Sequence, residues 1–331
     1  MKAIIPVAGA GTTLRPHTHT HPKPLLPVAG RPILGHIVEG MLSAGVDEFL
    51  FVIGHLGDKI REYIESICDN RFTATFVNQS PRRGLAHAIH ICQEYVAPNE
   101  PLVIALGDTI IETDLPALIA AKQTVLCVQK VDNPWEFGVA VLDAEGNIKS
   151  LVEKPQIPKS NLALVGLYKI VETDLLFQAT QHLIDTNHRT RGEYQLTDAL
   201  QFMVEQGVQM TPFRVQNWHN CGKKEVLLET NRLLLKHVQQ TDHPEFPNSI
   251  IRPPVFIPEN VTIEGSIVGP NVAVGEHAII RSSIIQDSIL GAYSHLEGVV
   301  LKESVIGNDA RLTGRFHAIN IGDNTELDFN L

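Results

Sequence analysis

Ala3-Ile4-Ile5-Pro6-Val7-Ala8 runs without a break into Gly9-Ala10-Gly11-Thr12-Thr13-Leu14-Arg15-Pro16. A short apolar, β-branched run ending in a glycine turn reads as the opening strand of a sheet. A turn at the end of a first parallel strand exposes backbone N–H groups that can cradle phosphate oxygens. Two familiar phosphate loops are excluded. G-x-x-x-x-G-K-[ST] is absent, and the third glycine and prompt helix of a dinucleotide-binding turn are replaced by Pro16 and Pro22. Taken alone, the turn serves a purely structural role equally well.

The segments beyond the turn decide the fold class. Glu48–Gly54, Phe72–Val77, Pro101–Leu106 and Thr124–Gln129 repeat the strand pattern, and Pro32–Ala44, Asp58–Cys68 and Gly84–Val96 carry the helical period between them. This alternation predicts βαβ units and a mainly parallel, mixed sheet, whose ligands bind beyond the carboxyl ends of its strands. From Phe137 to Arg214 strands (Gly138–Leu142, Ile148–Val152, Ala163–Ile170) mix with helices, and Lys223–Gln240 reads as a long amphipathic helix. Prolines 244, 247, 253 and 254 then punctuate a polar stretch. Beyond it, aliphatic residues recur every five or six positions at Ile257, Ile263, Val268, Val274, Ile280, Ile285, Leu290, Leu296, Leu301, Ile306 and Leu312, several followed directly by glycine. That period is the signature of a parallel β-helix, here of nearly four coils, with a small ordinary sheet as the alternative. The expected organisation is a ligand-binding α/β domain over residues 1–240, a linker over 241–254 and a β-helix over 255–331.

Composition narrows the function. Of 331 residues, 44% are hydrophobic and 19% charged, which suits a soluble chain with room for two domains. Against 27 Lys+Arg stand 37 Asp+Glu, a net charge of -10, so nucleic acid is a poor partner and a small phosphorylated ligand needs a local basic patch. The first residues lack the pattern of a signal peptide, no apolar stretch is long enough to span a membrane, and the four cysteines show no disulfide or zinc spacing. A cytoplasmic location is expected.

The second motif is Pro22-Lys23-Pro24-Leu25-Leu26-Pro27-Val28-Ala29-Gly30-Arg31-Pro32. It fixes a lysine between two prolines close to the glycine turn, which suits a point-charge phosphate contact. Together the two stretches resemble the signature of the sugar-1-phosphate nucleotidyltransferases, A-G-x-G-T-R-L-x-P followed by P-K-P-L-x-P-V-x-G-x-P. The likeness continues through Gln79-Ser80-Pro81-Arg82-Arg83-Gly84-Leu85-Ala86-His87-Ala88, Leu106-Gly107-Asp108, Phe137-Gly138-Val139-Ala140, Val152-Glu153-Lys154-Pro155, Leu164-Val165-Gly166-Leu167-Tyr168 and Arg191–Ala199. It is greatest to the long glucose-1-phosphate thymidylyltransferases, which carry a left-handed β-helix at the carboxyl end.

The resemblance implies a Rossmann-like nucleotidyltransferase domain and transfer of a nucleotidyl group from a nucleoside triphosphate, dTTP or UTP, to a sugar-1-phosphate, glucose-1-phosphate foremost. It implies Mg²⁺ as cofactor and a homo-oligomer. By position it assigns catalysis to Lys23, Arg15, Lys154 and Asp108. Nucleotide contacts fall to Ala8, Gly9, Gly11, Thr12, Gln79, Gly84, Leu85 and Gly107, with the Gln79 amide meeting a pyrimidine edge. Sugar-phosphate contacts fall to Gly138, Glu153, Lys154, Gly166 and Arg191, and metal ligation to Asp108 and Asn220.

Two positions depart from the pattern. Thr13 stands where the family has an arginine on the triphosphate, a charge that Arg15, Arg82 or Arg83 would have to supply. In Trp218-His219-Asn220-Cys221-Gly222, Asn220 stands where the family has a metal-binding aspartate and keeps an amide oxygen without the charge. The rival expectation is a catalytically weak homologue that binds a nucleotide sugar and regulates a partner. A third takes the β-helix as an acyltransferase, with His277, His295 or His317 as base. The run His17, His19, His21 would place three imidazoles on one face for a transition metal if extended, and is otherwise a polar loop. Cys221 reads as a packing residue, and Trp135 and Trp218 as pocket walls or core.

Overall fold

The computed structural model describes residues 1–238 and 245–314. The chain divides into two compact units, 1–230 and 231–331. In the first unit the strands are β1 (Lys2–Pro6), a small hairpin of β2 (Pro27–Val28) and β3 (Arg31–Pro32), β4 (Glu48–Ile53), β5 (Thr73–Asn78), β6 (Leu102–Ala105), β7 (Thr109–Glu112), β8 (Thr124–Lys130), β9 (Gly138–Leu142), β10 (Ile148–Glu153), β11 (Leu162–Ile170), β12 (Met210–Arg214) and β13 (Asn217–Asn220). The helices are α1 (Ile33–Ser43), α2 (Gly57–Cys68), α3 (Leu85–His90), α4 (Leu115–Ala120), α5 (Thr173–Asp185), α6 (Leu196–Glu205) and α7 (Lys224–Leu235).

The main sheet runs β10-β9-β11-β6-β1-β4-β5, with β8 paired to β11 and to β12. Its amino-terminal half, β6-β1-β4-β5, is parallel, and β11 then turns the sheet antiparallel. This is the mixed, mainly parallel, Rossmann-like sheet that the alternation of strand and helix predicts. Ile4, Leu50 and Val52 pack with residues of α3, α5 and α6, while the alternate residues Ala3, Phe49 and Phe51 point to the other face and are equally buried. Burial on both faces explains why these strands are continuous apolar runs without polar alternation.

Three elements differ from the runs expected of them. The helix expected over Gly84–Val96 stops at His90 and continues as a single 3₁₀ turn, Gln93–Tyr95. Strand β11 shifts register against β8 between Leu164 and Tyr168, where Gly166 takes φ +86°, and it pairs with β9 before that point and with β6 beyond it while β8 follows it on both sides. Helix α7 ends at Leu235, and residues 239 and 240 of the expected helix lie outside the described residues.

The second unit holds three parallel sheets of four short strands each, stacked as the coils of a left-handed β-helix. Strand pairs lie 17 or 16 residues apart, as in Ile250↔Ile267 and Ile284↔Val300, which is the sum of three steps of five or six. Ile263, Val268, Val274, Ile280, Ile285, Leu290 and Leu296 are each no more than 2% exposed. The expected linker, 241–254, needs correction: Ile250–Ile251 already forms the first rung against Ile267–Val268, because two β-branched residues between the prolines complete a coil face. Residues 241–244 of that linker lie outside the described residues, as does 315–331, including His317.

The corners show what the period alone does not. Ser249, Ser266 and Ser283 recur at 17-residue intervals; each hydroxyl donates to a carbonyl two residues back and accepts the backbone N–H one coil on. One side chain thus satisfies two corner groups that no strand can pair. Gly275 is required for another reason: a Cβ there would stand 2.4 Å from the Ala292 nitrogen of the next coil. Among the described residues no helix is long and apolar enough to cross a membrane.

Candidate active site

The carboxyl edge of the parallel strands opens on a cavity of about 540 Å³, entirely within the first unit. β1 ends at Pro6, and the Val7 N–H still donates to Val52 before the chain turns. Gly11, at φ +61°, starts a 3₁₀ turn over Thr12–Leu14, and a Cβ on it would come within 2.9 Å of the Lys23 Cβ. Gly9, by contrast, has nothing within 4 Å of where a Cβ would stand. Backbone is therefore bare on the side where a phosphate would lie. Two further 3₁₀ turns, His17–His19 and Lys23–Leu25, fold the segment back, and Thr18 ties it by donating from Oγ1 to the Gly11 carbonyl at 2.7 Å. In a 3₁₀ turn alternate residues do not share a face, so the three imidazoles do not converge as an extended run would make them.

Lys23 is 9% exposed, and its Nζ donates to Asp108 Oδ2 at 2.6 Å. Asp108 Oδ1 accepts from Thr109 Oγ1 at 3.0 Å. A lysine held this deep is stable only as a paired charge. Directly after Asp108, β7 pairs antiparallel with β13 in a register that puts Thr109 opposite Asn220, and the Cys221 N–H donates to the Asp108 carbonyl. A Cβ placed on Gly222 would lie 3.1 Å from Asn220 Oδ1 and 3.3 Å from Lys23 Nζ. The amide oxygen, the ammonium and the Asp108 carboxylate thus gather around one glycine. This donor set fits magnesium, a hard cation that takes one or two protein oxygens and completes its shell with phosphate and water. Among the described residues no group of three His, Cys, Asp or Glu side chains could hold a metal by itself. Burial pushes the Cys221 thiol up to about 11, so it remains a neutral packing group beside the site.

The segment that follows β5 is knitted to a distant one. Ala86 N–H donates to Tyr194 O and Tyr194 N–H donates to Arg83 O, both at 2.9 Å. Gly84, at φ +112°, lies so close that a Cβ would stand 2.5 Å from the Tyr194 carbonyl oxygen. Gln79, 6% exposed, donates from Nε2 to the Gly84 carbonyl at 3.0 Å and lies 3.1 Å from His87 Nδ1.

At the opposite end, Glu153 Oε2 accepts from Thr197 Oγ1 at 2.7 Å, and a Cβ on Gly138 would collide with both. Lys154 holds φ +43°, its N–H donates to the Phe137 carbonyl, and its Nζ lies 3.9 Å from Glu153 Oε1. Arg191 Nη2 donates to the Lys154 carbonyl at 3.2 Å.

Ala8, Gly9, Gly11, Thr12, Lys23, Gln79, Gly84, Leu85, Gly107, Asp108 and Lys154 all line the cavity. Gly138, Glu153, Gly166, Arg191 and Asn220 are not on its wall; of these, Glu153 precedes Lys154, Arg191 donates to the Lys154 carbonyl, and the Gly166 carbonyl accepts from the N–H of the wall residue Leu106. Arg15 is exposed and not on the wall. Of the three arginines that could replace the charge missing at Thr13, Arg82 is the one on the cavity wall, which Thr13 also lines, and its Nη1 lies 3.5 Å from the Ala8 carbonyl. Glu193 is a wall residue to which the sequence motifs assign no role. Its only sequence signal is its place in the Arg191–Ala199 stretch. Trp218 packs edge-on against Phe137 at 4.8 Å, and Trp135 is 52% exposed.

Comparison with known proteins agrees with this geometry. A family model described as Nucleotidyl transferase matches residues 2–237. The low-salt glycan biosynthesis nucleotidyltransferase Agl11 of Haloferax volcanii is 33% identical, with 99% of each chain covered. A glucose-1-phosphate thymidylyltransferase of Streptomyces antibioticus is 29% identical over 99% of each. Among solved structures, a UDP-glucose pyrophosphorylase complexed with UDP-glucose superposes with a TM-score of 0.62 at 25% identity, covering 72% of this chain and 99% of the other.

Proposed function

The chain belongs to the nucleotidyl transferase family as an enzyme of the sugar-1-phosphate type, and from that premise we propose that it transfers a thymidylyl group from dTTP to glucose-1-phosphate, with UTP as the other triphosphate its cavity admits. The observation that carries this reading is one cavity lined by Lys23, Asp108, Gln79, Arg82 and Lys154, with Gln79 following β5 and Lys154 following β10 at the two edges of the sheet and Asp108 following β6 between them. A phosphate oxygen of the sugar-1-phosphate bonds to the α-phosphorus, the bond from that phosphorus to the β-phosphate bridging oxygen breaks, and pyrophosphate leaves with the electron pair. Such a transfer needs alignment of two polyanions and neutralisation of charge, and no covalent enzyme intermediate.

Each residue then has a task. The bare backbone at Gly9 receives phosphate oxygens, on a turn closed by Gly11. Lys23 and Arg82 face the triphosphate, Arg82 in place of the charge absent from Thr13. Lys154 holds the sugar phosphate, and Glu153, oriented by Thr197, accepts from sugar hydroxyls. Asp108 and Asn220 would hold Mg²⁺, which when bound offsets charge on the triphosphate. The relatives are named as enzymes, and nothing in them supports a silent regulatory binder. For the β-helix we propose self-association: Ile250, Ile284 and Val300 occur in register on one outer face and are exposed.

The test is pyrophosphate release with glucose-1-phosphate and dTTP and Mg²⁺, run beside UTP and other sugar-1-phosphates. The expected result is turnover highest with that pair. No turnover with any pair would overturn the reading.

A further inference from the structure

We infer that Lys23 holds the metal site of the free protein closed: its ammonium competes with Mg²⁺ for the Asp108 carboxylate, and binding of the triphosphate draws it away. This rests on the reading above, in which Asp108 and Asn220 hold the metal and Lys23 faces the triphosphate. It adds a task for Lys23 before any nucleotide arrives.

The ammonium already stands beside both proposed ligands. Lys23 Nζ donates to Asp108 Oδ2 at 2.6 Å, and Asp108 Oδ1 accepts from Thr109 Oγ1 at 3.0 Å, so each carboxylate oxygen has a donor. One point, the position of a Cβ on Gly222, lies 3.3 Å from Lys23 Nζ and 3.1 Å from Asn220 Oδ1. A divalent cation brought to Asp108 meets a carboxylate whose charge is neutralised and, close by, an ammonium of like sign. The Lys23 side chain is 11% exposed, so water screens that repulsion poorly. Asn220 offers an amide dipole and no charge, and cannot make up the loss. Asp108 is the one carboxylate of the pair, and two cations compete for it.

The release is built on the same turn. Pro22 and Pro24 hold the Lys23 backbone, while the unbranched side chain can pivot. A Cβ on Gly11 would stand 2.9 Å from the Lys23 Cβ, so the side chain leaves the backbone beside the glycine turn. Gly9, Gly11, Thr12, Lys23 and Asp108 line one cavity. A triphosphate on that turn carries several negative charges against the single charge of Asp108, and its oxygens form charge-assisted hydrogen bonds with an ammonium that swings toward them. Asp108 is then free for the metal, which enters with the nucleotide and not ahead of it.

Electron paramagnetic resonance of Mn²⁺, standing in for Mg²⁺, tests this on the full chain without depending on turnover. In the absence of nucleotide, Lys23→Met should bind Mn²⁺ at least about tenfold more tightly than wild type, and adding Asp108→Asn should abolish the gain. In the complexes with saturating dTTP, the gap between wild type and Lys23→Met should narrow to within about threefold. Should the methionine variant not fold, Lys23→Gln removes the charge while keeping a polar end and carries the same comparisons. Equal or weaker Mn²⁺ binding by the neutral variant, a gain that survives Asp108→Asn, or a gap that dTTP does not narrow would overturn the inference. A gain that depends on Asp108 and narrows with dTTP, in a protein that releases no pyrophosphate with any pair, would uphold it and overturn the proposed reaction alone.

Discussion

The two ends of the cavity are built by different means. Where we propose that the triphosphate lies, opposite the proposed sugar end at Lys154, the charged groups are held by contacts between segments far apart in the chain: Lys23 is fixed by Asp108, 85 residues on, and Asn220 is brought in by the pairing of β7 with β13. At the sugar end the lysine and glutamate are sequence neighbours. Glu153 is set by a hydroxyl on α6, and Lys154 by an unusual backbone conformation. The end that depends on long-range charge pairing is the one where this chain departs from the family pattern, at Thr13 and Asn220. A charge there can be supplied from another segment, the role we propose for Arg82, which lines the same cavity. The sugar end has less freedom, since a Cβ on Gly138 already collides with Thr197 and Glu153.

The largest effect should come from Lys23→Ala. It removes a charge facing the triphosphate and strips Asp108 of its cation, so pyrophosphate release should fall by about 10³ or more while the thermal midpoint stays within a few degrees. Retention of more than a tenth of the activity would show that the two ends are not so different. Lys154→Ala should raise the KM for the sugar phosphate by about 10²-fold and leave dTTP affinity within about twofold, a separation that steady-state kinetics and calorimetry read together. Arg82→Ala should lower kcat by roughly 10- to 100-fold, and Thr13→Arg in that background should restore most of the loss; no rescue would mean that Arg82 does not stand in for the missing charge. The smallest effect belongs to Asn220→Asp, which should lower the Mg²⁺ concentration for half-maximal activity by about tenfold with kcat little changed.

How much of this is legible in the amino-acid sequence depends on the distance over which each feature is decided. Strands such as Glu48–Ile53 and Thr124–Lys130 follow from their own residues, because burial on both faces demands an unbroken apolar run. The β-helix is legible because its period is its structure. Its serine corners and the early rung at Ile250 are not, since a hydroxyl that serves the next coil looks like any other loop serine. Arg15 lies closest in sequence to the missing arginine, yet it is exposed and off the wall, whereas Arg82, which follows β5 far along the chain, is on it, and no local pattern distinguishes the two. The pairing of β7 with β13 joins two four-residue strands from distant parts of the chain, which no local pattern specifies.

The amino-acid sequence by itself determined the alternation of strand and helix, the glycine turn, the proline-bracketed lysine and the coil period. Each of these is set by interactions within a few residues: backbone freedom, proline geometry and the side on which an apolar group must be buried. Tertiary structure alone decided which charges meet. The contact of Lys23 with Asp108, the presence of Arg82 and not Arg15 on the cavity wall and the contacts of Gln79 with His87 and the Gly84 carbonyl exist because folding brings distant segments together, where a buried polar group must find a partner or not be buried at all.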